Sequence, residues 1–408
     1  MKRARRFWAF YIESYSGLSR NSWMLALVAL INRSGSMVLP FLGLYLREAK
    51  AFDLSQVAVL LAIYGVGSAV GAILGGTLTD TFGAFRVQFS SLFLGGLGFI
   101  GLSFVEGYYP LLLAVFLAST LAESFRPANM SAVTTYARPE NIARAVSINR
   151  LAINLGFAIG PAIGGILAEY DYRYIFWFDG ATCIAASMVF YSYFVKQQTT
   201  RIKAEKTSAL AKMGAVFKDL AYIKFISYVV SYAFLFFQLF NSIPLYFKNP
   251  GGLGERQIGY LFALNGALVF LLEMPLVAWI QSHMSGWRSL SYGFLFAILA
   301  FVALMFPPSP WVFVLCFMLL SVSEILALPF TVSLASGFTT VQNRGSYMGV
   351  LSLGFALTHI LAPTISLFLA EKLGFSGLWL SLGILGMVFA FWGWKDSDFS
   401  EDLATKPE

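Results

Sequence analysis

Apolar runs of membrane-spanning length follow one another along the whole chain, separated by short polar connections. A helix needs about 20 predominantly apolar residues to cross a bilayer. Twelve stretches meet that length: 22–46, 56–79, 87–105, 109–134, 145–168, 174–195, 222–247, 257–281, 289–306, 311–335, 345–370 and 375–394. Backbone polar groups in lipid must be satisfied internally, and these runs are too long and continuous for barrel strands, so they predict helices. The one long connection, 196–221, falls between the sixth and seventh spans. It divides the chain into a six-span half over 1–195, a basic linker over 196–221, a second six-span half over 222–394 and a short tail over 395–408.

A repeat relates the two halves. The fourth and fifth spans carry Glu123, a basic hairpin and LGFAIGPAIGG (155–165). The tenth and eleventh carry a looser version: Glu324, Pro329, Arg344, LGFA (353–356) and Pro363. The predicted fold class is therefore an all-α membrane protein, with twelve transmembrane helices in two pseudo-symmetric six-helix bundles. Internal repeats of this kind put a substrate site between the halves, near the bilayer midplane.

Composition agrees with lipid as the solvent. Hydrophobic residues make up 58% of the 408 positions and charged residues 12%, against roughly 25% charged in a soluble domain. The net charge of +7 could suggest nucleic acid, but its distribution points to a membrane. With the N-terminus placed inside, the inside segments hold roughly 20 Lys and Arg and the outside loops roughly 6, as the positive-inside rule requires. Both termini are then cytoplasmic. The basic start, MKRARRFW, has no short apolar core with a small-residue cleavage site behind it, so an uncleaved chain is expected. No GxxxxGK[ST] loop or HExxH spacing occurs. Cys183 and Cys316 lie in apolar runs and are expected as free buried thiols. Neither an enzyme nor a metal or cofactor site is expected.

An ionisable side chain near the bilayer centre costs roughly 3 kcal/mol and faces protein or water rather than lipid. Arg33, beside Asn32, lies in the first span. Glu123 and Arg126 lie in the fourth, three residues apart and on one face, where they can form a pair. Glu273 precedes Pro275 in the eighth, and Glu324 is in the tenth with no basic residue within a helical turn. Asp179 in the sixth and His359 in the eleventh read as structural. Gly156, Gly160 and Gly164 recur every four residues around Pro161, and Gly67, Gly71 and Gly75 do the same in the second span. Both rows let backbones approach closely.

Several of these residues carry a family resemblance. GGTLTDTFGAFR (75–86) resembles the loop signature G-x-L-x-D-x-x-G, followed by basic residues, of the major facilitator superfamily. Gly76, Leu78, Asp80 and Gly83 match. Thr81 stands where a basic residue is usual, and only a displaced Arg86 remains of the later basic pair. GFAIGPAIGG (156–165) resembles the fifth-helix signature of the antiporter branch, and NRGSYMG (343–349) with the tenth-helix acid resembles its drug-efflux group.

The resemblance implies that helices one, four, seven and ten line a central cavity. Glu324, Glu123 and Glu273 are then the candidates for proton coupling. Arg33, Asn32, Arg126, Gln238, Asn241 and Phe237 are the candidates for substrate contact. Asp80, Gly76, Gly83, Arg86, Gly156, Gly160, Pro161 and Gly164 are the candidates for gating. Arg33 could pair with Glu123 or anchor an anionic group of the substrate. The expected function is alternating-access, proton-coupled export of amphipathic small molecules by a monomer in a bacterial inner membrane. It is driven by the proton gradient without a cofactor. The alternative is a symporter importing a small zwitterion or organic anion such as a short peptide. Against it, the peptide-transporter ExxER signature is absent, and the first span reads LINR (30–33).

Overall fold

The computed structural model of the chain describes residues 18–137, 141–197, 216–339 and 344–404, with backbone alone at 143, 344, 345 and 393–404. The basic start, most of the 196–221 linker and Asn343 of the NRGSYMG loop lie outside the described residues. Every regular element described is helical. In chain order these are α1 (Arg20–Ser34 and Val38–Leu44), α2 (Leu54–Phe82), α3 (Ala84–Leu102), α4 (Tyr108–Glu123 and Phe125–Tyr136), α5 (Ile142–Tyr170) and α6 (Arg173–Phe194). They continue with α7 (Leu220–Phe236 and Ser242–Lys248), α8 (Glu255–His283), α9 (Gly286–Ala303) and α10 (Pro310–Gly337). The final run, Arg344–Ala404, is two helices, α11 and α12, joined at Gly374 (φ +70°). Among the described residues there are 11 candidate spans, the last being Ser346–Trp392 with 47 residues. At 1.5 Å per residue that run is about 70 Å long, more than twice the bilayer core of about 30 Å. It therefore accounts for two of the twelve expected crossings.

Three helices expected to be continuous are broken. α1 is interrupted at Gly35–Met37, α4 at Ser124 and α7 at Phe237–Asn241. Each break lies about four residues before a proline: Pro40, Pro127 and Pro244. The pyrrolidine ring clashes with the carbonyl four residues earlier and supplies no N–H. Proline alone does not suffice, because Pro161, Pro275 and Pro329 sit inside continuous helices. At the three breaks, polar side chains take up freed backbone groups. Ser124 Oγ donates to the carbonyls of Thr120 (2.8 Å) and Gly71 (3.0 Å). Gln238 Nε2 donates to Phe234 O (2.9 Å), and Asn241 Nδ2 to Phe237 O (2.8 Å).

Packing gathers the chain into two units. The first comprises Met1–Val38, Gly67–Gly164 and Arg173–Ala204, and the second Leu39–Val66, Gly165–Tyr172 and Glu205–Glu408. In the first, Leu25, Val28, Leu92, Phe125, Phe190 and Phe194 form a buried apolar cluster. The glycine row of α2 meets α4 there, and a Cβ on Gly71 would fall on the Thr120 carbonyl. In the second, aromatic rings dominate: Phe247 against Phe313 at 4.4 Å, and Trp379 stacked on Phe301 at 5.8 Å. Large apolar side chains such as Leu113, Met188, Leu271 and Phe368 remain exposed along the spans, as a surface facing lipid requires.

The connections are capped by ordinary means. Asp53 Oδ1 accepts from the Gln56 N–H (2.7 Å) and the Ser55 hydroxyl (2.7 Å) at the start of α2. The Ser55 bond, then the Gln56 N–H, holds the Asp53 carboxyl below its usual range. This cap therefore persists above the ordinary carboxylate pKa and is lost only as pH falls through the lowered value. Asp219 caps α7 by accepting from the Tyr222 N–H (3.1 Å), and its other oxygen accepts from the Tyr347 hydroxyl (2.8 Å).

Candidate functional site

In the first unit the break in α1 presents Arg33 on its last helical turn. The guanidinium carbon lies 5.5 Å from the Phe157 ring centre and 5.8 Å from that of Phe125. Both distances suit cation–π attraction. The signature glycines of α5 abut the same break. A Cβ on Gly156 would lie 2.5 Å from Arg33 Cβ, and one on Gly160 3.1 Å from the Arg33 carbonyl. Asn32 is buried and donates to Cys183 Sγ (3.2 Å), so its amide serves the α1–α6 contact. Cys183 and Cys316 are free and buried, as expected.

In α4, Arg126 Nε lies 3.4 Å from Glu123 Oε2, which realises the pair read from their spacing. The two ends differ in solvation: 61% of the Arg126 side chain is exposed against 13% of Glu123. A pair with one end in water contributes little stability.

The second unit holds the other acid. Glu324 Oε2 accepts from Asn265 Nδ2 (3.1 Å), and the same nitrogen donates to Ser321 Oγ (3.0 Å). Next to Glu324 in the chain, Ser323 Oγ shares a hydrogen bond with the Tyr232 hydroxyl (3.0 Å) and donates to the Gly293 carbonyl (2.7 Å). Asn265 was not among the sequence candidates. The available signal was a lone amide in an apolar run, eight residues before the buried Glu273 and so on one helix face with it. Phe237 packs against His359 with ring centres 3.9 Å apart. Gln238 is fully buried, and besides donating to Phe234 O it accepts from Ser242 Oγ (2.7 Å). Gln238 and Asn241 were expected to meet substrate. Their amide groups bond the backbone at the break in α7.

The sequence reading also missed a polar cluster in the second unit, at the ends of the spans away from the 196–221 connection. Glu255 Oε1 accepts from the Tyr172 hydroxyl (2.7 Å) and pairs with Lys248 Nζ (2.7 Å). Arg256 Nη2 meets Glu169 Oε2 at 2.6 Å, and Asn249 Nδ2 donates to Glu48 Oε1 (3.0 Å). The cluster ties the α1–α2 and α5–α6 connections to the α7–α8 connection. Burial first, then the bond to Glu255, pushes the Tyr172 phenol up, so it stays a donor. Glu255 is the hub, with 12% of its side chain exposed, whereas Arg256 and Glu169 are 43% and 47% exposed. Replacing Glu255 with Gln should therefore lower the melting temperature in detergent clearly and independently of salt. Replacing Arg256 with Ala should cost about 1 kcal/mol or less and only at low salt. Equal effects would refute this ranking.

In the first unit, Gly83 takes φ +88° in the α2–α3 turn, a conformation glycine adopts at little cost. Asp80 and Arg86 beside it are exposed. Among the described residues no hydrogen bond or ion pair engages the Asp80 carboxylate.

Ionisable side chains held at breaks in membrane-spanning helices define a polytopic membrane protein that handles polar groups within the bilayer. The model of the Major Facilitator Superfamily matches residues 23–336, and the chain belongs to that superfamily. It is a secondary transporter, not an enzyme. The chain is 24% identical over 345 residues to the multidrug resistance protein MdtH of Aeromonas salmonicida (strain A449), which covers 82% of this chain and 84% of that protein. It is 26% identical over 322 residues to MdtH of Photorhabdus laumondii subsp. laumondii, covering 78% and 79%. Among solved structures, a POT family transporter in complex with 5-aminolevulinic acid superposes with TM-score 0.79 at 16% identity, covering 95% of this chain and 97% of that one. The nucleoside transporter NupG does so with TM-score 0.76 at 14% identity, covering 92% and 99%. At these identities the structural likeness concerns the fold alone.

Proposed function

We propose that the protein exports amphipathic small molecules in exchange for protons by alternating access, with both termini cytoplasmic in a bacterial inner membrane. The observation that carries proton coupling is Glu324, a carboxyl inside an apolar helix whose neighbour Asn265 can donate to it in either protonation state. Desolvation favours the protonated form of a carboxyl and solvation the charged form. A carboxyl wetted from one side at a time therefore picks up and releases protons as access alternates. Similarity to the MdtH proteins over most of the chain supports export of drug-like solutes. Glu123, tied to Arg126, and the buried Glu273 are secondary proton candidates. Arg33, Arg126 and Phe237 keep some exposure and are the side chains proposed to meet substrate. The polar cluster around Glu255 lies on the outer side in this orientation, and Asp80 and Arg86 on the inner side.

The test is made in proteoliposomes with a pH-sensitive dye inside and a fluorescent lipophilic cation as solute. Antiport predicts proton movement opposite to dye movement. Movement in the same direction would replace this reading with symport.

A further inference from the structure

Two motifs of the second half, NRGSYMG and LGFA, have no place in the scheme above. Both run into α11, and both meet α7. Tyr347 of the first motif donates its hydroxyl to Asp219 Oδ2 (2.8 Å), while Asp219 Oδ1 caps α7 by accepting from the Tyr222 N–H. The Tyr222 hydroxyl donates back to the Tyr347 carbonyl (2.6 Å), with the two ring centres 4.5 Å apart. Two turns further along, Gly354 of LGFA faces Val230: a Cβ on Gly354 would lie 2.9 Å from Val230 Cγ2. Next comes the contact of His359 with Phe237 at the break in α7, ring centres 3.9 Å apart. The three contacts climb both helices in step, so α7 and α11 run parallel along one seam from the linker to the break. The first LGFA copy does the same in α5, where Gly156 abuts the break in α1.

We propose that Tyr347 is a positioning residue: through Asp219 and Tyr222 it sets the axial register of α11 on α7, and so holds His359 against Phe237. Phe237 lies fifteen residues from Tyr222, about 22 Å at the helical rise of 1.5 Å per residue. A helix carries an axial placement over that length because its own backbone bonds fix the rise. The buried Tyr222 is also edge-on to Phe338 (5.4 Å), and Phe225 stacks on Phe338 (5.4 Å) and meets Trp287 (5.5 Å). Such ring contacts hold the helix sideways but tolerate sliding. Hydrogen bonds do not, since they weaken steeply once length or angle is lost. At α1 the break is held from another helix, where Asp179 Oδ2 accepts from the Met37 (3.3 Å) and Val38 (3.2 Å) N–H groups. At α7, Gln238 and Asn241 bond their own helix, and the register against α11 is set from the inner end. The register stands on contacts within the second unit alone. Its consequence for transport rests on the proposed meeting of Phe237 with solute.

Two variants cut one bond from opposite ends. Tyr347→Phe removes the hydroxyl and keeps the ring. Asp219→Ser keeps a side chain that caps α7 but is too short to reach Tyr347. The full chain in detergent carries 4-fluorophenylalanine at 237, and His359→Leu gives its resonance without the imidazole. Both variants are expected to move the 237 resonance toward that reference, and the double variant to move it no farther than either alone. Asp53→Ala, which removes the cap of α2, should lower the melting temperature and leave the 237 resonance in place. In proteoliposomes, Tyr347→Phe should raise KM for the fluorescent cation about threefold at unchanged kcat, as a loss of uniform binding does. A 237 resonance unmoved by both variants overturns the inference, as does one moved equally by Asp53→Ala. Where one variant does not fold, the other carries the test; loss of folded protein in both would assign the bond to stability and overturn the inference too. A resonance that moves while KM stays put upholds the register and removes Phe237 from solute contact.

Discussion

Glu324→Gln is expected to reduce proton-driven transport to background while leaving solute exchange down its own gradient intact. The substitution keeps size and hydrogen bonding: the Gln carbonyl accepts from Asn265 Nδ2 as the carboxylate oxygen does. What disappears is the titratable proton. Stability should therefore change by no more than about 1 kcal/mol, the scale of one net hydrogen bond. The measurement is uptake of a lipophilic cationic dye into inverted membrane vesicles, with and without an imposed pH gradient. It is paired with dye counterflow at equal pH. Glu123→Gln should retain part of the driven uptake, because the Glu123–Arg126 pair has one end in water. If Glu324→Gln accumulates dye as wild type does and Glu273→Gln does not, the coupling site is in α8 rather than α10.

The two acids separate in the structure along lines the sequence drew only in part. Spacing alone put Glu123 and Arg126 on one face, and their contact follows. The partner of Glu324 comes from another helix, 59 residues away, and no local pattern encodes such a distance. The spans themselves were legible because lipid imposes length and apolarity on each one separately. The breaks in α1, α4 and α7 were not, because a hydropathy window averages over them. Their cause is in the sequence, at Pro40, Pro127 and Pro244, but Pro161 and Pro329 look the same and interrupt nothing. The difference is made by side chains that receive the freed backbone groups, and at α1 that side chain, Asp179, belongs to another helix. Gln238 and Asn241 show the same use of side chains at the break in α7. Polar groups in an apolar helix invite a substrate reading, whereas these two satisfy their own backbone.

Gly156→Ala is expected to lower both the melting temperature and dye efflux, and Gly156→Val to do so more severely. A methyl group at 156 would lie 2.5 Å from Arg33 Cβ, 2.8 Å from the Arg33 carbonyl carbon and 2.9 Å from the Ser34 nitrogen. Two of those three atoms are backbone, so no rotamer change relieves the clash, and either α5 or the break in α1 must move. Overpacking of this kind costs about 1–3 kcal/mol, and backbone obstacles place Gly156→Ala toward the upper end. Gly76 gives the contrast. It belongs to the other signature, yet a Cβ there would have no neighbour within 4 Å, so Gly76→Ala should leave melting within about 0.5 kcal/mol of wild type. Two glycines equally prominent in the sequence thus have different physical reasons for being there. The one in α5 is required because two backbones touch at the charged break in α1. Wild-type melting of Gly156→Ala would show that these helices are not in contact.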